Sequence, residues 1–278
     1  MRIVGLLAAA SLIGGYAWAQ EEIPTPAPPL LQAAGPPPSP AQKAARAKNE
    51  AADSVLWNKN PAPKDPRDFS GVWWTSHYQR EIRQLDGSHP PMTQKGIDSE
   101  NYRVDLIKKG TPLPDASTEC LPNGVPHTMV SPYPIQFVYS PGLITMLFEV
   151  GHDLRFIHMD GKPAPKNEPL SFMGYSVGHW EGNTLVVVTD HFNNKTTIDQ
   201  TSLSHGTKMK VTERFSRYTD KFGGAQITDM ITIDDPDYYT KPWVARRDFA
   251  WRGDTHMLEY TCEENNRNQP VDGLTGYQ

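Results

Sequence analysis

The chain has 278 residues, 37% hydrophobic and 21% charged, with a formal charge of −5 that is spread along its length. That is enough for one large domain or two small ones. The only long apolar run is at the N-terminus, which excludes a polytopic membrane protein. No Lys/Arg block supplies the basic patch that a nucleic-acid partner needs.

The first residues read as a secretory signal. Arg2 gives a positive start, residues 3–17 are apolar, and Ala17-Trp18-Ala19 places small residues where a signal peptidase reads them. Cleavage is expected before Gln20, with no transmembrane segment left afterwards. The run falls short of the ~20 residues that span a bilayer. The expected location is therefore the bacterial periplasm or the exterior. In that oxidising space the only two cysteines, Cys120 and Cys262, are expected to form a disulfide, since neither has a C-x-x-C partner or a nearby histidine that would suit a metal. No metal or cofactor is expected.

Residues 20–67 form a Pro/Ala-rich leader that includes Pro36-Pro37-Pro38. Within it, residues 40–57 predict a short helix, with Ser39 as cap and Pro40 in the first turn. The main domain is expected over residues 68–278. It opens on a strand at residues 69–75. A helix is expected over 93–109, ended by Gly110. Short strands then follow at 135–139, 143–150, 154–159, 175–180, 184–189, 210–218, 226–233, 243–251 and 257–262. The breaks between them carry turn residues such as Ser140-Pro141-Gly142, Glu181-Gly182-Asn183 and Phe222-Gly223-Gly224. Nine or ten consecutive strands predict a mainly all-β fold. The expected form is an antiparallel meander closed as a barrel or folded as a sandwich.

Two resemblances bear on this reading. Gly71-Val72-Trp73 is similar to the G-x-W opening of lipocalin-like barrels, where the Trp closes one end. A longer pattern lies between about Cys120 and Asn266. It consists of Arg155, Asp160-Gly161, Gly174, Ser176, Gly178, Trp180-Glu181-Gly182, Thr184-Leu185-Val186-Val187, Thr189, Glu213-Arg214-Phe215, Asp234-Asp235-Pro236, Pro242-Trp243 and the Cys262-x-Glu264 ending. It resembles a family of uncharacterised exported bacterial proteins with a W-E-G-[DN]-T-L-V-V hairpin. Asn183 stands where that family often has Asp, and Lys162 where it often has Arg. The resemblance implies export and β architecture. The family has no established activity to carry over.

The candidate site comes from the two-residue period of strands. Val211, Glu213, Phe215 and Arg217 share one face, Ile227, Asp229, Ile231 and Ile233 another, and Trp243, Ala245, Arg247, Phe249 and Trp251 a third. Each apolar face thus carries a charge in its middle. Glu213, Asp229 and Arg247 are expected to converge, with Arg247 bonding at least one of the acids. With Arg155, Trp243 and Trp251 they form the expected ligand-binding set. One alternative is a structural salt-bridge cluster; another is a catalytic group, for which His158, His179, Glu181, Glu213 and Asp229 are the candidates. His158, Asp160, His179 and Glu181 have no compact metal-ligand spacing, and each histidine alone reads as a turn or rim residue. Other histidines, His127 and His205 among them, fall in loops and read the same way.

Three functions fit these observations. The first is an exported β-barrel that binds a small, partly apolar molecule. The second is a periplasmic hydrolase, lyase or isomerase using an inward carboxylate or His with Arg. The third is an envelope interaction module. Inward carboxylates with raised pKa favour the second, and an exposed apolar patch on the outside favours the third.

Overall fold

The computed structural model describes residues 60–262, except 77, 112–115 and 202, together with Pro40, Ala41 and Ala44. Those three are helical and exposed. The signal segment, the rest of the expected leader helix and residues 263–278 lie outside the described residues.

Nine strands close a barrel in sequence order. They are β1 (Gly71–Thr75), β2 (Ile135–Ser140), β3 (Leu143–Phe148), β4 (Leu154–His158), β5 (Tyr175–Glu181), β6 (Thr184–Asp190), β7 (Lys210–Thr219), β8 (Ala225–Asp234) and β9 (Trp243–Trp251). Helix α1 (Gln94–Lys108) sits between β1 and β2. Its N-cap is Thr93, whose hydroxyl accepts from Gly96 N at 3.2 Å. Gly110, at φ 66°, follows its C-cap. The hairpin β7–β8 is the longest, paired from Lys210↔Asp234 to Thr219↔Ala225. Its turn is held by Asp220, whose carboxylate accepts from the backbone N–H groups of Phe222 and Gly224.

The barrel excludes the sandwich alternative and departs from a pure antiparallel meander at one place. β4 and β5 run parallel, through Ile157↔Ser176 and His158↔Val177. Parallel neighbours need a long crossover, and residues 159–174 provide it. This segment carries Pro163, Pro165 and Pro169 and forms no strand, its bridge Ser171↔Phe192 lying outside the strands. The tenth strand expected at 257–262 does not form. β1 pairs with both β2 and β9, Trp73 facing Ile135 and Trp251, so the sheet has no edge left to extend. The tail is held by side chains instead: Glu149 accepts from Leu258 N and His152 Nε2 from Tyr260 N. Cys120 and Cys262 are bonded, with S–S 2.13 Å.

Inward side chains fill the barrel in two apolar clusters. One gathers Phe69, Trp73, Phe137, Met146, Phe215, Phe249 and Trp251. The other gathers Phe192, Val211, Ile231, Ile233, Tyr239 and Trp243. Trp73 is fully buried, donates to Phe69 O at 2.7 Å and packs edge-on to Trp251 at 5.2 Å. Residues 60–68 lie against this end of the barrel. Arg217 donates to the carbonyls of Pro63, Asp65 and Asp68, Trp251 donates to Asn60 O, and Ala62 packs on the first cluster.

Candidate functional site

Between the two apolar clusters runs a polar belt. The alternation read from the sequence holds on β7, β8 and β9: Glu213 and Asp229 are 0% exposed and Arg247 is 5% exposed. Register places Asp229 between Phe215 and Arg247, while Glu213 faces Ile231, so the two carboxyls are diagonal neighbours.

The cation that pairs with the acids is Arg155 of β4, not Arg247. Arg155 lies on the buried face with Ile157. It makes a two-pronged ion pair with Glu213, Nη1 donating to Oε1 at 2.9 Å and Nη2 to Oε2. Its Nε donates to Ser176 Oγ at 3.0 Å and Nη2 also to Thr189 Oγ1 at 2.8 Å. Ser176 and Thr189 are paired across β5 and β6 and hydrogen-bond to each other at 2.9 Å. A planar fork with a bidentate carboxylate and two hydroxyls is the arrangement a buried guanidinium requires. Arg155 was among the expected ligand-binding residues, but Ser176 and Thr189 were not. The period-two pattern puts Ser176 opposite Tyr175 and Val177, and that was the available signal.

The expected convergence of Arg247 on the acids is not seen. Arg247 faces inward but turns to the segment after β1, donating to Gln79 Oε1 at 3.0 Å and to Glu81 O at 2.6 Å. That segment offers Arg247 a backbone carbonyl that needs a donor. Burial lowers the Arg247 guanidinium to about 10, which leaves it charged at neutral pH.

Asp229 is therefore left without a donor. Neither carboxyl oxygen has a hydrogen-bond partner. Burial, and then the charge of Glu213, push its carboxyl well above the usual carboxylate range. In the neutral form it becomes a donor itself, with Glu213 as the acceptor. Trp243 is also buried with its indole N–H unpartnered, packed at 5.4 Å against Tyr239.

The histidine candidates lie elsewhere. His158 is on the outer face, stacked on Tyr175 at 4.5 Å, beside a cleft of about 290 Å³ that is lined by Leu154, Phe156, Glu168 and Met173 as well. Leu154 and Phe156 are exposed there, the apolar exterior that an interaction module needs. His179 pairs with Glu181 at 3.1 Å and Glu181 with Arg214 at 2.7 Å, all exposed. Arg214, then His179, hold the Glu181 carboxyl below its ordinary value. Neither histidine reaches the polar belt. Among the described residues, no group of three His, Cys, Asp or Glu side chains is placed to hold a metal.

Compared with known proteins, the chain matches no family model, no curated protein and no solved structure. The chemistry of the site is therefore read from its own residues.

A second buried polar group was not foreseen. His127 bonds Thr197 Oγ1 at 3.1 Å through Nδ1, and His205 bonds Thr196 Oγ1 at 2.7 Å through Nε2 and Gly206 O through Nδ1. His205 belongs to a loop, as expected, whereas His127 opens a short 3-10 helix (His127–Val130), and both are buried beside the second apolar cluster. Burial holds His205 below its usual pKa. Asp199 accepts from Ile82 N and Thr201 N, and Asp235 from Gly206 N, so the cluster ties three loops together.

Asp229 makes a pH-dependent prediction. Its folded-state pKa lies above the unfolded value of about 3.9. The neutral carboxyl is tolerated at low pH, and the folded state loses stability as pH rises from the unfolded toward the folded pKa. The loss is about 1.4 kcal/mol per pH unit across that window. Asp229→Asn removes the titration. The variant is expected to gain on the parent as pH rises above the unfolded value and to stop gaining above the folded one. Urea unfolding of both proteins checks this; a difference that does not change with pH contradicts it.

Proposed function

We propose that this chain is an exported, periplasmic or secreted β-barrel protein that binds a small, partly apolar molecule in its interior. The proposal includes membership of the exported bacterial family that it resembles, through Trp180-Glu181-Gly182-Asn183 and the residues around it. The observation that carries the reading is a set of buried polar atoms without partners on the inward faces of β8 and β9, the Trp243 indole N–H, Arg247 Nε and the Asp229 carboxyl. Buried polar atoms are almost always satisfied, and an exception calls for a water, an ion or a ligand. The apolar side chains above and below the belt supply the rest of a ligand site. The disulfide fits an oxidising compartment. No helix among the described residues is long and apolar enough to cross a membrane.

A thermal-shift screen of small aromatic and branched aliphatic molecules tests the reading. A ligand at a hundred times its Kd adds about 2.7 kcal/mol of stability. At least one member is expected to raise Tm in a saturable way. Trp243→Phe, which removes the unpartnered indole N–H from the inward face of β9, is expected to weaken the rise. No rise at all, or a rise unchanged by Trp243→Phe, contradicts the reading.

One observation favours the hydrolase, lyase or isomerase reading. A carboxyl whose pKa is raised by burial and by the neighbouring Glu213 is a suitable general acid. Asp229→Asn separates the two readings. An enzyme loses turnover, whereas a binding protein keeps its ligand.

A further inference from the structure

The outer face of β4 departs from the strand chemistry of the rest of the barrel. Outward positions include Thr212, Arg214 and Ser216 on β7 and Arg246 and Asp248 on β9. On β4 they are Leu154, Phe156 and His158, with Leu154 45% and Phe156 48% exposed. The sheet also opens beside them. β4 pairs with β3 from Leu143↔His158 to Leu147↔Leu154, but with β5 only through Ile157↔Ser176 and His158↔Val177. Leu154, Arg155 and Phe156 therefore have no strand partner on the β5 side. The cleft of about 290 Å³ lies there, bounded also by Met173, Gly174 and Tyr175.

The crossover 159–174 supplies the other wall and is pinned without being a strand. Glu168 N donates to Pro165 O at 2.9 Å, Ser171 N to His191 O at 2.9 Å and Asn193 N to Ser171 O at 2.8 Å. Glu168 lines the cleft, half-buried, and no described basic side chain pairs with its carboxylate. The neighbouring acid, Asp160, is already paired with Lys162 at 3.2 Å. Aromatic rings complete the lining, with His158 stacked on Tyr175 at 4.5 Å and Phe156 on the same face of β4 as His158. The volume matches the lower end of small-molecule sites, about 300 Å³. An apolar, aromatic cleft with one unpaired carboxylate complements a cation that has an apolar body.

We propose that this cleft is a second binding site, on the outside of the barrel, for a small organic ammonium ion. The ammonium meets Glu168, and the apolar body lies against Leu154, Phe156 and Met173. The site is on the opposite face of β4 from Arg155 and does not rest on the reading of the interior. Half-burial of Glu168 keeps the charge preference modest, between that of an exposed ion pair and that of a buried ionic hydrogen bond. The apolar side chains discriminate weakly between bodies of similar size.

Calorimetric titration of the full chain with 2-phenylethylammonium, 2-phenylethanol and 3-phenylpropionate tests it. The three share a ring on a short chain and differ in charge. The ammonium is expected to bind about three- to tenfold more tightly than the alcohol, and the carboxylate more weakly than either. Glu168→Gln is expected to bring the ammonium down to the affinity of the alcohol. Phe156→Thr, which keeps a strand-forming residue on β4, is expected to weaken both. The comparison among ligands on the parent protein stands even if a variant does not fold. Equal binding of ammonium and alcohol, a preference that survives Glu168→Gln, or no binding of any of the three overturns the proposal. So does an ammonium affinity that falls with Trp243→Phe but not with Glu168→Gln, since that places the ligand in the interior. The two sites thus fail separately, this one through Glu168 and Phe156 and the interior one through Trp243.

Discussion

Replacing Arg155 with methionine is expected to lower the unfolding free energy by about 3–5 kcal/mol, the cost of breaking a buried ion pair. Arg155 is 1% exposed and its partner Glu213 is fully buried. The arginine also satisfies Ser176 and Thr189, which it joins to the same network. Its removal leaves Glu213 facing Asp229 with no cation between β4 and β8 to offset either. Glu213 must then take up a proton or the barrel must admit water. The double variant Arg155→Met with Glu213→Leu is expected to recover much of the loss, because a well-packed apolar pair often replaces a buried ion pair without penalty. Urea unfolding followed by circular dichroism measures both. A loss below about 1 kcal/mol, typical of an exposed pair, would mean that β4 does not present Arg155 to the interior.

The second large effect belongs to the disulfide. Cys120 and Cys262 close a loop with a sequence separation of 142 residues, which encloses β2 through β9. Loop-closure entropy for such a span is worth about 4–5 kcal/mol. For a domain of this size that corresponds to roughly 8–20 °C in Tm. The paired substitution of both cysteines by alanine is expected to lower Tm within that range, and reduction of the parent protein to do the same. Labelling of denatured, unreduced protein is expected to find no free thiol. Two labelled thiols, or a Tm unchanged by reduction, would contradict the bond.

Much of the fold was legible because strand chemistry is local. Period-two alternation and turn residues located every strand of the barrel, and they placed Glu213, Asp229 and Arg247 on the inward faces of β7, β8 and β9. What local pattern does not specify is pairing direction and reach. The parallel join of β4 and β5 depends on where the crossover 159–174 lands, which no residue within either strand encodes. The missing tenth strand depends on β1 having already closed the sheet.

Side-chain length explains the exchange between the two arginines. Alternation assigns each to a face, but a guanidinium on a long stem selects among every acceptor within its reach. Arg247 stands opposite Asp229 in register yet satisfies carbonyls of the segment after β1, which the sequence does not place. Arg155 passes along Ser176 and Thr189 to Glu213 on β7, three strands away in the sheet. The buried histidines were hidden for a related reason. His127 opens a 3-10 helix and His205 lies in a loop, and only the tertiary fold shows that these connections pack on the second apolar cluster.

The central claim is that the interior of this barrel holds a small molecule on the wall formed by Asp229, Trp243 and Arg247. A crystal structure of protein purified under native conditions, never unfolded, tests it most directly. The account expects density larger than a water in contact with Arg247 Nε or Trp243 Nε1. An interior closed by side chains alone, or one in which ordered waters satisfy Asp229, Trp243 and Arg247 and no ligand from the screen displaces them on soaking, would contradict it.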